Sequence, residues 1–150
     1  MNLVEIKYEN IHLYEVKFDE FFCANLSSYK YFHPHEFEYE VLCDILKNSQ
    51  KDFYGIIEEN GKIIGYGMLR GWDEGYEIPS LGIIIDREYR GEGLGFKMMD
   101  LLENKAREKG ATKIRLTVLK ENSKAIHIYK KLGYEISDLN DNNYLGIKKL

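Results

Sequence analysis

The chain has 150 residues, with 21 Lys plus Arg against 25 Asp plus Glu, for a formal charge of -4. That length fits one domain over residues 1–150, and 44% hydrophobic with 13% aromatic residues supply a core and exclude global disorder. The lack of any apolar run of about 18 residues excludes a membrane-spanning helix, and the acidic total argues against a nucleic-acid binder.

The first residues, Met1-Asn2-Leu3-Val4-Glu5, carry no charged stretch followed by an apolar one, so no secretory leader is expected. Residues 4–8 alternate weakly and read as a first strand. Residues 19–31 read as a helix with Asp19 as its N-cap and Phe22, Leu26 and Tyr29 at helical spacing. Cys23 and Cys43 make neither a zinc pattern nor a disulfide framework. They are expected as buried small hydrophobes in a reduced, cytoplasmic protein. Pro34 ends the helical run and leaves residues 31–35 as a loop, and residues 36–47 read as a second helix. Strands over 52–58 and 62–70 meet at Asn60-Gly61, a strong hairpin signal. A short buried strand follows over 79–86, then the clearest helix, 94–109, with Gly110 as its stop. A strand over 113–119, a helix over 122–132 stopped by Gly133, and closing strands over 134–136 and 144–148 complete the chain. The unit from 80 to 119 requires a parallel strand pair with a right-handed crossover, whereas the hairpin before it is antiparallel. The sheet is therefore mixed.

Charge is uneven. Residues 1–60 hold 12 acids and 5 Lys or Arg, whereas residues 105–131 hold 9 Lys or Arg and 2 acids. A basic segment beside an acidic one suits a ligand system that is anionic at one end and cationic at the other.

The chemistry concentrates in Arg90-Gly91-Glu92-Gly93-Leu94-Gly95, between a strand and the best helix. Glycines allow positive φ and close backbone approach. The free N–H groups and dipole of a helix start make an anion site, to which Arg90 adds a positive charge able to grip phosphate. This order points to a phosphate or pyrophosphate. It is not a P-loop, since no G-x-x-x-x-G-K-[ST] occurs. Nor is it the dinucleotide fingerprint, since Phe96 stands where that pattern needs its third Gly.

Arg90, Gly93 and Gly95 match the [Arg/Gln]-x-x-Gly-x-[Gly/Ala] motif, and the segment from Leu81 to Gly95 resembles that of the GNAT superfamily of acyl-CoA-dependent N-acyltransferases. A second element at the expected distance is similar as well: Asn122, Ala125, Tyr129, Gly133 and Tyr134. The likeness covers residues 50–134.

The resemblance implies an α/β (α+β) fold, with a mostly antiparallel sheet, a central splayed parallel pair and about four flanking helices. It implies acetyl-CoA as co-substrate and no metal. Backbone groups of Arg90, Gly91, Glu92, Gly93, Leu94, Gly95 and Phe96 would cradle the pyrophosphate, and those of Ile83, Ile84 and Ile85 would pair with the pantetheine arm. Asn122 and Ser123 would border that arm. Tyr129 would sit near the thioester sulfur as general acid for the departing thiolate.

Glu77 resembles a family position that serves as general base, and His33 and His35 are the other candidates for base or substrate contact. His33, His35 and Glu36 lack a further partner for a metal. Tyr31 and Phe32 are expected to line the acceptor pocket with those histidines. Phe37 is expected in the core, Trp72 at a pocket rim or dimer contact, and His127 exposed. The leading reading is acetyl transfer to a small primary amine, an amino sugar or sugar nucleotide, by a monomer or homodimer without nucleic-acid or membrane partners. A protein N-terminal or lysine acetyltransferase and a non-catalytic acyl-CoA sensor are the alternatives.

Overall fold

The computed structural model describes residues 1–150. Strand β1 (Val4–Glu5) leads through a 3₁₀ turn, Ile11–Tyr14, into helix α1 (Glu15–Ala24). A second 3₁₀ turn, Leu26–Lys30, precedes α2 (Tyr39–Asn48). The chain continues through β2 (Phe53–Glu59), β3 (Lys62–Arg70), β4 (Ser80–Ile85), α3 (Leu94–Glu108), β5 (Lys113–Leu119), α4 (Ser123–Lys131), β6 (Glu135–Asp138) and β7 (Asn143–Lys149). The strands form one seven-stranded sheet, ordered β1-β2-β3-β4-β5-β7-β6. Only β4 and β5 run parallel, joined at the single register pair Ser80 and Arg115, beyond which they part. The expected mixed sheet with a splayed central pair and four helices is the observed architecture.

Alternation along the strands sorts side chains to two faces. Tyr66, Met68 and Ile84 face α1 and α2, where Phe18, Phe21, Phe22 and Leu42 complete one core. Leu69, Leu81, Ile114 and Leu116 face α3, where Met98, Met99 and Leu102 complete the other, with Ala125 and Tyr129 of α4 at its margin. Asn60 and Gly61 have φ of 51° and 76°, which makes the β2–β3 connection the two-residue primed turn that their sequence favours.

The first third departs from expectation. Helix α1 spans Glu15–Ala24, so Asp19 lies inside it and caps nothing. It stops at Asn25 because that side chain turns back on the helix, its Nδ2 donating to the Phe21 carbonyl at 2.8 Å and so offering the backbone an alternative to another turn. Helix α2 begins at Tyr39, three residues late. The Glu36 carbonyl accepts from His35 Nδ1 and from the Glu38 amide, and both bonds hold residues 35–38 in a tight turn. The first strand is shorter than the expected 4–8. Neither cysteine is buried: Cys23 is exposed and Cys43 partly so. Phe18, Phe21 and Phe22 fill the inner face of α1 and leave Cys23 outside.

Glu103, buried on α3, accepts from Tyr134 Oη at 3.0 Å and from Lys148 Nζ at 2.7 Å, tying the helix to the closing strands. Glu103→Ala leaves a poorly solvated ammonium without its partner and is expected to cost about 3 kcal/mol. That corresponds to a fall in Tm of about 6–12 °C in a thermal melt. A change near zero would show that the pair is fully screened.

Candidate active site

The turn after β4 leaves a run of backbone amides unbonded. Asp86 Oδ1 accepts from the Glu88 amide at 2.9 Å and starts the 3₁₀ turn Arg87–Tyr89. Gly91 and Gly93 then take φ of 81° and 82°, a conformation that costs residues with a Cβ. The amides of residues 90–96 donate to nothing within the chain, and the first bonded one is Lys97, whose N–H donates to the Gly93 carbonyl at 3.2 Å. A cavity of about 140 Å³ adjoins the turn, bordered by Tyr89, Glu92, Gly93, Leu94 and Lys97. A run of free N–H groups at the positive end of a 15-residue helix is an anion site by construction.

Arg90 is at the turn but does not reach into it. Its Nε donates to the Ile85 carbonyl at 3.1 Å and its guanidinium also bonds Ser28 Oγ. The Arg90 side chain is thus committed within the chain and braces the turn, and the unbonded donors there are the backbone amides. The basic stretch is also divided differently from expectation. Lys105 and Arg107 sit on the last turn of α3 and Lys109 caps it, about 17–22 Å from its start, beyond strong Coulomb reach in salt. Lys105 and Lys109 lie over the rings of Phe53 and Trp72, at 5.4 Å and 5.2 Å. Trp72 thus packs against the lysine that caps α3.

Past Ser80, β4 keeps one edge unpaired, and Ile83, Ile84 and Ile85 lie along it. Asn122 caps α4, its Oδ1 accepting from the Ala125 amide at 3.3 Å. Ser123 borders an open cleft of about 490 Å³ between α4 and the closing strands, lined also by Lys120, His127, Lys130, Ile136 and Tyr144. Tyr129 packs its ring beside Tyr134 and the α3 core, and its hydroxyl has no hydrogen-bond partner in the chain. Burial pushes its pKa up to about 12, so the hydroxyl keeps its proton at physiological pH.

The acceptor-side candidates divide. His35 packs edge-on to Phe22 and Tyr66. Its Nδ1 donates to the Glu36 carbonyl at 2.6 Å and its Nε2 accepts from Tyr66 Oη at 2.8 Å. Burial lowers its pKa, and with both nitrogens engaged it has none to offer an acceptor. His33 is exposed, its Nδ1 bonded to the Tyr29 carbonyl at 3.1 Å. Tyr31 is exposed and Phe32 half-buried. The Phe32 ring lies over Gly82 of β4, where any Cβ would collide with it. Phe32 is thus the member of the loop that reaches the splayed strands. Glu77 is exposed in the β3–β4 connection, three residues before β4. Phe37 stacks on Phe22 in the core and His127 is exposed, both as expected.

Sequence reasoning missed a latch between the two halves of the site. Buried Asn25 donates to Asp86 Oδ2 at 3.1 Å and accepts from the Arg87 amide at 3.0 Å. With the Ser28–Arg90 bond, it ties the segment after α1 to the glycine turn that precedes α3. The only hint in the sequence is a polar residue inside an apolar helical stretch.

Residues 12–134 match the Acetyltransferase (GNAT) family. The chain belongs to that family. An acetyltransferase of Pectobacterium atrosepticum is 32% identical over 91 residues, which cover 61% of this chain and 63% of that protein. The chain thus spans a little under two thirds of the length of that relative. Among solved structures, the PaiA N-acetyltransferase of Thermoplasma acidophilum, in complex with coenzyme A, superposes with a TM-score of 0.72 at 19% identity, covering all of both chains. A spermidine N-acetyltransferase from Vibrio cholerae gives 0.76 at 16% identity, over 99% of this chain and 95% of that one. At these identities the structures share the fold. GNAT membership and the fold agree with what the two motifs implied. No helix is long and apolar enough to cross a membrane, and no three His, Cys, Asp or Glu side chains gather as a metal site.

Proposed function

We propose that the protein transfers an acetyl group from acetyl-CoA to the primary amine of a small molecule, by direct attack in a ternary complex. The observation that carries this reading is the run of unbonded amides over residues 90–96, which opens beside the unpaired edge of β4. Together they suit a ligand with a pyrophosphate at one end and an amide-bearing arm along the strand. The amine nitrogen bonds the thioester carbonyl carbon, the C–S bond breaks, and coenzyme A leaves as a thiol. Tyr129 donates toward the sulfur, and Glu77 or solvent takes the excess proton of the amine. An N–H on the free edge of β4 suits the oxyanion, and holding both reactants together supplies much of the acceleration. The PaiA neighbour's bound coenzyme A supports the choice of cofactor.

The test is thiol release from acetyl-CoA across amino sugars, sugar nucleotides, polyamines and peptides. Release with one class is expected. Silence across the panel, with acetyl-CoA still raising Tm, would favour a sensor.

A further inference from the structure

Two arginines face the same side of the sheet at the point where the strands part. Arg70 of β3 pairs in register with Ser80 of β4, and Ser80 pairs with Arg115 of β5. The three Cα atoms lie in one row across adjacent strands, so the arginines flank Ser80 with their Cα atoms about 10 Å apart. Their strand neighbours Leu69, Leu81, Ile114 and Leu116 all face α3, so alternation turns Arg70, Ser80 and Arg115 to the opposite side. That is the side of the loop between α1 and α2. Arg70 confirms the direction, donating from a terminal nitrogen to the Pro34 carbonyl at 2.9 Å.

Neither guanidinium forms an ion pair. Arg115 is the sharper anomaly: its Nε is buried without any hydrogen-bond partner, the one such side-chain atom in the chain. A buried unpaired donor on a charged group is costly, and a net acidic chain has carboxylates to spare for neutralising it. The Arg115 guanidinium makes no bond within the chain and so keeps its planar donors for an oxyanion, while Arg70, held at one terminal nitrogen by Pro34, adds a second charge beside it.

We propose that Arg115, with Arg70, binds an oxyanion on the acceptor, so that the substrate is an amine that also carries a phosphate or carboxylate. This rests on the acetyl-transfer reading and narrows it. It favours phosphorylated amino sugars, sugar nucleotides or amino acids over polyamines, whose positive charge two arginines would repel.

The test measures thiol release with matched acceptors: glucosamine 6-phosphate against glucosamine, and amino acids against their amides, with spermidine alongside. The two pairs separate phosphate from carboxylate. The anionic member of one pair is expected to have a kcat/KM at least about tenfold higher, carried mainly by KM. In Arg115→Gln that ratio is expected to fall toward one. Arg115→Lys, which keeps the charge and guards against misfolding, is expected to retain part of it. Equal turnover of neutral and anionic members, a preference for spermidine, or a ratio that survives both Arg115→Gln and Arg70→Gln would overturn the proposal. Calorimetry of the same acceptors with the coenzyme A-loaded protein separates the two claims. Anion-dependent binding lost in Arg115→Gln, without thiol release from any amine, would uphold the oxyanion site and sink acetyl transfer. No anion-dependent heat and no release would sink both.

Discussion

Tyr129→Phe is expected to lower kcat by about 10²- to 10⁴-fold, the range in which a positioned proton donor acts, while the Kd for acetyl-CoA stays unchanged. The variant removes one oxygen and leaves the ring in its contacts with Tyr134 and the α3 core. Stability is expected to hold, because the hydroxyl makes no hydrogen bond in the chain and keeps some solvent contact, so its removal breaks no bond of the fold. Loss of activity without loss of Tm distinguishes chemistry from packing. The pH profile gives a second readout. With the pKa pushed up to about 12 by burial, the acid form is full at every working pH, so Tyr129 contributes no alkaline limb to kcat below about pH 11. Against a free thiol near pKa 8.5, complete transfer from such a phenol runs uphill. A thiol leaving into apolar surroundings would be raised as well, which would narrow the gap, and a hydrogen bond to the leaving sulfur would still lower the barrier. Unchanged kcat in the Phe variant would remove Tyr129 from the mechanism. A collapse of acetyl-CoA affinity would make it a wall of the cleft.

Legibility in the sequence followed the range of the interactions involved. The Asn60-Gly61 turn, α3 with its Gly110 stop and the crossover from β4 to β5 are set by neighbours in the chain, and all were readable. The glycines at 91 and 93 likewise announced a tight turn of positive φ before α3 through their own backbone needs. The first third failed where local signals met distant partners. Asn25 ends α1 early through a side chain that also bonds Asp86, 61 positions away. His35 is lost to the acceptor site because a β3 tyrosine claims its Nε2, 31 positions on. Arg90 read as a phosphate ligand because charge was visible and Ser28 as its partner was not. Arg115 escaped notice for the converse reason. A cation that shares the face of Lys113 in an alternating strand reads as solvent-facing, and the register with Ser80 sets it in one row with Arg70.

Gly93→Val is expected to weaken acetyl-CoA binding by more than about 100-fold, since losing two charge-assisted bonds of about 1.5–3 kcal/mol each already exceeds that factor. Two effects add in this variant and need separating. Gly93 has φ of +82°, so any side chain strains the backbone, at a cost of about 1–2 kcal/mol. Yet a Cβ there meets no atom within 4 Å, so the free protein has room for it. The obstruction arises only when a pyrophosphate comes close to the amides of residues 90–96. Gly110→Val is the matched control: φ is +89°, nothing lies within 4 Å, and the residue sits past the far end of α3. Both variants are expected to lose a similar few degrees of Tm, and only Gly93→Val to lose cofactor, as read by calorimetry. If both bind acetyl-CoA normally, the anion is not held at this turn. If both lose it alike, the effect is backbone strain spread through the helix, and the free amides are not the cradle. The two glycines flank opposite ends of one helix with nearly the same positive φ, so the difference between them isolates the one property that only the N-terminal end has: N–H groups with nothing in the chain to bind.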